Sequence, residues 1–265
     1  MRPIITLLTD FGLSDPFVGI MKGVIVGINP EAHLIDICHT VPSYDLVQAG
    51  FLLKTAYPYF PKGSIHVVVV DPGVGGPRRP IAALIDDHSF IGPDNGVFSY
   101  LYTTGKVDRV VEITASHYFL HPVSATFHGR DIFAPVAAYL SKGIELQSLG
   151  EPISDYVRLE VPVPKVQDDT LQGEVLVVDK FGNLITNIGV EDLEPFLGEG
   201  GSLLVKIGGR EIRGLSAFYA EVEEGELGAI IGSTGHLEVF VHRGSAAELL
   251  QAGRGTQVVI MVRQA

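Results

Sequence analysis

The stretch "VVVVDPGVGGPRRP", residues 67–80, decides how the chain is read. Four consecutive valines carry no polar alternation, so they describe a strand buried on both faces, as in a helix-covered parallel sheet. The run stops at Asp71, and Arg78 and Arg79 follow within a few residues. Asp-Pro-Gly is ordinary turn vocabulary, and "GVGG" could let a backbone cradle a phosphate. Neither the Walker pattern nor G-x-G-x-x-G is present, which leaves the phosphate reading weak. The other reading is a carboxylate and a guanidinium at a strand's carboxyl end, where α/β sheets gather ligands.

Outward from this stretch, "PIITLLTD" reads as a strand, "PFVGIMKGVIVGIN" as a helix, "AHLIDIC" as a strand and "YDLVQAGFLLKTAYPYF" as a helix. "SIHVVVVD" and "PIAALIDDHSFIG" come next, and an apolar helix, "IFAPVAAYLSKG", follows "HGRD". Such alternation predicts an α/β domain with a mainly parallel sheet flanked by helices. The text changes at "EVPVPKVQDDTLQ", residues 160–172, and beyond it the segments are short, β-like and closely punctuated by turns. We therefore expect an N-terminal α/β domain over 1–162 and a smaller antiparallel β-barrel domain over 170–265.

The net charge of −12 speaks against nucleic-acid or anionic-membrane partners, whose binding needs a basic surface. No apolar run approaches the ~18 residues of a membrane span, and the single cysteine, Cys38, excludes an internal disulfide framework. "MRPIITLLTDFG" meets Asp10 too early for a signal peptide, so a cytoplasmic protein is expected.

Asp10 closes the first strand, Asp71 the valine strand, and His128 stands in "FHGRD" before a helix. Each has a plain structural reading, as a cap, a turn or a satisfied histidine. A metal site from Asp10, Asp71, His128 and Asp131 is a rival, unsupported by any H-x-H, H-E-x-x-H or D-x-D spacing. "GPDNG" at 92–96 reads as a tight turn. "DKFGNLITN" at 179–187 reads as a hairpin loop whose Phe181 could stack a flat ring while Asn183 pairs with its edge.

Taken in order, "TDFG", "DPGVGGPRR", "GPDNG", "FHGRD", "DKFGNLITN" and "GSTGHLEV" resemble the S-adenosyl-L-methionine (SAM) hydroxide adenosyltransferases, hydrolase relatives of the fluorinase and chlorinase enzymes. The resemblance runs from end to end. It implies that water or hydroxide attacks the 5′ carbon of SAM and releases adenosine and methionine. It further implies no cofactor and a homotrimer with the site between subunits. Residue by residue, it makes Asp71, Arg78 and His128 the catalytic trio, the offset of seven selecting Arg78 over Arg79. It places Asp10 on the ribose hydroxyls, Tyr44 beside the sugar, and Phe181, Asn183 and Phe218 on the adenine. Asp179 falls on the methionine ammonium, and Ser233 and Thr234 near its carboxylate. Alternatives from the same pocket are a SAM-dependent halogenase and a non-catalytic SAM or adenosine binder.

The chemistry suits such a trio. Methionine leaves as a neutral thioether and needs no proton, so the demanding part is presenting an oxygen nucleophile in line with the breaking C–S bond. Asp71 or His128 could take the water's proton, with Arg78 stabilising developing hydroxide. A carboxylate against the sulfonium would stabilise the ground state, so Asp71 is expected to face the water instead.

Overall fold

The computed structural model describes residues 2–196 and 202–263. The chain divides into two compact units, Met1–Val161 and Pro162–Ala265. The first contains β1 (Ile4–Thr9), α1 (Phe17–Ile28), β2 (His33–Cys38), α2 (Leu46–Ala56), β3 (Ile65–Val69), β4 (Pro80–Ile85), β5 (His88–Pro93), α3 (Ser99–Thr104), β6 (Val107–Glu112) and α4 (Ala134–Ser141). Its sheet runs β2-β1-β3-β5-β4-β6.

The four valines are at most 2% exposed and alternate between two cores. Val67 and Val69 pack with Met21 and Ile25 of α1 and Ala134 and Ala137 of α4. Val68 and Val70 face the other layer, with Ala49 and Leu53 of α2 and Leu101 of α3. Each such burial contributes ~1.5–3 kcal/mol, so both faces of the strand select apolar side chains from Val67 to Val70. Strands β1 and β2, β1 and β3, and β3 and β5 pair in parallel.

The sheet is mixed rather than wholly parallel, because "PIAALIDDHSFIG" folds as an antiparallel β4–β5 hairpin and β4 also runs antiparallel to β6. Asp86 and Asp87 make the two-residue turn at φ 50° and 65°. Aspartate is among the few non-glycine residues that adopt this left-handed conformation readily.

In the order β2-β1-β3-β5-β4 the chain leaves β1 toward β2 and leaves β3 toward β4 on the opposite side, which opens a crevice at the carboxyl ends of β1 and β3. Thr9 pairs with Val69, so Asp10 and Asp71 emerge at one edge. Asp71 also shares parity with Val67 and Val69, which carries it to the α1/α4 side.

Within β3 itself, His66 is fully buried, with Nδ1 2.8 Å from Thr6 Oγ1 and Nε2 3.2 Å from His88 Nδ1. Burial, and secondarily His88, pushes its pKa down to about 3. The unfolded chain binds a proton here below about pH 6.5 while the folded chain does not. This contribution is therefore whole above pH 6.5 and lost as pH falls toward 3, at ~1.4 kcal/mol per pH unit. Thermal unfolding should show Tm falling over that window, and His66→Gln should flatten the slope; an unchanged slope would exclude His66 as its source.

The second unit holds β7 (Lys165–Gln167), β8 (Thr170–Val178), β9 (Leu184–Gly189), α5 (Val190–Leu193), β10 (Ser202–Ile207), β11 (Arg210–Arg213), β12 (Leu227–Ile231), β13 (His236–Val241), α6 (Ala246–Leu250) and β14 (Gln257–Arg263). Its eight strands are antiparallel, in the order β11-β10-β14-β8-β9-β13-β12, with β7 added beside β8. Ser216 N donates to Ala229 O at 2.7 Å, which draws the segment after β11 onto β12 and nearly closes the sheet into a barrel. Inward residues such as Val175, Leu184, Val205, Val239 and Ile260 fill it. No helix among the described residues is long and apolar enough to cross a membrane.

Candidate active site

At the β1/β3 crevice lies a cavity of about 300 Å³ whose wall includes Asp10, Tyr44, Asp71 and His128. Asp71 accepts a hydrogen bond on Oδ1 from Arg78 Nε at 2.9 Å and a second on Oδ2 from Arg78 Nη2. The same Nη2 lies 2.7 Å from His128 Nδ1. One guanidinium thus joins two chain segments fifty residues apart. Both charged side chains are nearly enclosed, Arg78 at 9% exposure and Asp71 at 4%. Arg78 also lies 5.5 Å from the centre of the Phe133 ring, a cation–π contact that shields the pair from water.

His128 stands just before a π turn, Gly129–Phe133, that leads into α4. Inside this turn Asp131 is fully buried and accepts from Ser124 N at 2.8 Å and Arg130 Nε at 2.6 Å. Burial, and next the charge of Arg78, hold the His128 pKa below the ordinary histidine value, against the pull of Asp71 and Asp131. The ring is neutral at physiological pH, and because Nδ1 accepts from Arg78 its proton resides on Nε2. Arg78 Nη1 is buried and without a partner among the described residues.

Arg79 is committed elsewhere: Nε and Nη2 bind Asp94 Oδ2 at 3.0 and 2.7 Å, and Nη1 binds Asp155 at 2.8 Å. Only Arg78 of the adjacent pair touches Asp71 and His128. Asp10 Oδ2 accepts from Tyr44 N at 2.9 Å, and Tyr44, at φ 68°, leaves 68% of its surface free. Among the described residues no group of three His, Cys, Asp or Glu side chains could hold a metal ion. Asp71 and Asp131, candidates for such a role, are each engaged by a guanidinium. A phenylalanine cluster at this cavity is not evident from sequence spacing. Phe17 lies 5.6 Å from Phe11 and 5.3 Å from Phe127, centre to centre. The flag was the aromatic letter in each of "TDFG", "DPFVG" and "FHGRD".

In the second unit, a cavity of about 700 Å³ is lined by Asp179, Phe181, Asn183, Ser233 and Thr234, among others. Asp179 closes the β8–β9 loop on itself, accepting from Phe181 N at 2.8 Å, Asn183 N at 2.9 Å and Asn183 Nδ2 at 3.0 Å. Phe181 is 75% exposed, an apolar ring held outward by a fastened loop. The Thr234 hydroxyl is buried and has no partner among the described residues. Phe218 stands outside this wall at 58% exposure, and its neighbour Tyr219 lines it instead.

Tyr219 Oη donates to Glu238 Oε1 at 2.7 Å, a carboxylate only 5% exposed. Burial first, and then Glu238, pushes the tyrosine to about 12. Burial and the charge of Asp179 raise Glu238 against that hydrogen bond. Neither was singled out from sequence, although Glu238 stands inside "GSTGHLEV".

Comparison with known proteins gives the family. Residues 5–150 match the SAM hydroxide adenosyltransferase N-terminal domain and residues 173–259 its C-terminal domain. An (R)-S-adenosyl-L-methionine hydrolase of Thermus thermophilus is 38% identical, over 98% of this chain and 100% of the relative. A fluorinase of Nocardia brasiliensis is more distant, 27% identical over 98% of this chain and 97% of the relative. A crystal structure of an uncharacterized conserved protein from Thermotoga maritima superposes at a TM-score of 0.92 with 37% identity, covering 97% of this chain and 99% of that one. With both family domains matched in order across nearly its whole length, the chain belongs to the SAM hydroxide adenosyltransferase family.

Proposed function

We propose that the protein hydrolyses SAM, with a water-derived oxygen displacing methionine from the 5′ carbon to give adenosine. The observation that carries this reading is the single guanidinium of Arg78 bonded to both Asp71 and His128 at the wall of a cavity. Asp71, with lone pairs to spare beyond its two bonds, takes the water's proton. His128, whose Nδ1 is occupied, presents Nε2–H as a donor that orients the same oxygen. Arg78 fixes both and offsets the negative charge that grows on the nucleophile. A halide would meet a carboxylate at this wall and pay for its own desolvation as well, which favours water.

In this reading Asp10 receives the ribose hydroxyls and Tyr44 covers the sugar, while Phe181, Asn183 and Phe218 hold the adenine. Asp179, Ser233 and Thr234 hold the methionine end. The protein works without a cofactor, in the cytoplasm, as a homotrimer whose ligand lies between one subunit's N-terminal unit and its neighbour's C-terminal unit. The domains proposed are 1–162 and 170–265.

The test is chromatography of purified protein incubated with SAM, with and without chloride. Adenosine and methionine in equal amounts, with no 5′-chloro product, is the expected result. Binding of SAM without turnover would sink the hydrolase reading.

A further inference from the structure

We infer that Glu238, held by Tyr219, is a receptor for the cationic amino group of the ligand in the second unit's cavity. The inference rests on the SAM reading above and adds a residue to it. The geometry starts from an imbalance. Asp179 already accepts three hydrogen bonds from its own loop, so much of its capacity is spent on holding Phe181 and Asn183 in place. Glu238 lines the same cavity, is 5% exposed, and among the described residues receives one hydrogen bond, on Oε1. Its Oε2 lies over Gly232, where a Cβ would stand 2.5 Å away, so the glycine leaves room for the carboxylate.

A buried carboxylate with one neutral donor and a second carboxylate nearby is costly to keep charged, and an approaching cation or a proton relieves that cost. Among the described residues of this wall the cationic side chain is Arg243, and its Nη1 is occupied at 3.0 Å by Glu224 on an exposed edge. Among the described residues no hydrogen bond or ion pair joins Glu238 to a cationic side chain, so a cationic ligand is the partner the geometry offers it. Of the two cations in SAM, the ammonium carries N–H donors that a free carboxylate oxygen can accept, whereas the sulfonium carries none. Contact at the sulfonium would also stabilise the ground state and slow the reaction. Tyr219 is a positioning residue: its hydroxyl fixes Oε1 and leaves Oε2 without a hydrogen bond among the described residues.

The experiment compares KM and kcat for SAM, for SAM lacking its α-amino group, and inhibition by adenosine, in wild type, Glu238→Gln and Tyr219→Phe. Glu238→Gln should raise KM for SAM ~10- to 100-fold, the range of a charge-assisted hydrogen bond, with kcat nearly kept. Its KM should then move toward that of wild type for the deaminated analogue, and adenosine inhibition should not move. Tyr219→Phe should shift KM for SAM in the same direction by less. In wild type KM should rise on acidification as Glu238 takes a proton, and in Glu238→Gln it should not. Equal weakening toward SAM, its deaminated analogue and adenosine would overturn the assignment, as would an unchanged KM. Failure of wild type to turn over SAM at all would instead remove the parent reading, and the ammonium assignment with it.

Discussion

Arg78→Lys is expected to lower kcat by ~10²- to 10³-fold, the cost of removing a preorganised donor from a reacting centre. Arg78 uses Nε on one oxygen of Asp71 and Nη2 on the other, and the second hydrogen of Nη2 on His128. A lysine ammonium is a single point on a flexible stem and cannot reproduce a planar fork that spans two acceptor groups. Positive charge survives the substitution, so a loss of this size would assign the effect to geometry. Arg79→Lys serves as the contrast: its bonds run to Asp94 and Asp155, and it should lower Tm while leaving kcat within a few fold. Steady-state turnover of SAM with circular dichroism on both variants decides the matter. Equal kcat in Arg78→Lys and wild type would remove Arg78 from the reaction.

The second large effect is expected at Gly75, which sits at φ 76° in the loop between Asp71 and Arg78. A Cβ there would stand 2.1 Å from the backbone oxygen of Ala125, three residues before His128. Gly75→Ala therefore combines a left-handed conformation, costing ~1–2 kcal/mol, with a clash that backbone must move to relieve. The parts that move are the two segments carrying the trio, and a displacement of about 1 Å there is worth ~10²-fold in rate. Gly63→Ala, at φ 82° with open space around it, meets only the conformational cost and should leave kcat unchanged. If Gly75→Ala kept full turnover, the apposition of the two segments would not matter to catalysis.

The two-faced burial of β3 was legible from four valines, since nothing else explains an uninterrupted apolar run of that length ending in a charge. The helices α1 and α2 and the β-rich second unit were legible for the same reason, periodicity against turn residues. The β4–β5 hairpin was not separated in advance, because Asp86 and Asp87 read equally well as a polar break within a longer run; left-handed φ values are invisible in the letters. At the candidate site, spacing alone could not choose between two adjacent arginines. The partners of Arg79, Asp94 and Asp155, lie 15 and 76 residues away, distances over which no local rule operates. Glu238 escaped for a related reason: a glutamate in a strand reads as a solvated position, and only its 5% exposure reveals otherwise.

The loop that bears Asp71 and Arg78 is fastened at its start by β3 and at its end by the grip of Arg79 on Asp94, which in turn accepts from Val157 N at 2.8 Å. Little of that segment is left to be ordered when a ligand arrives, so association with the first unit should proceed without a slow closing phase, and stopped-flow traces should be single-exponential with a rate linear in ligand concentration.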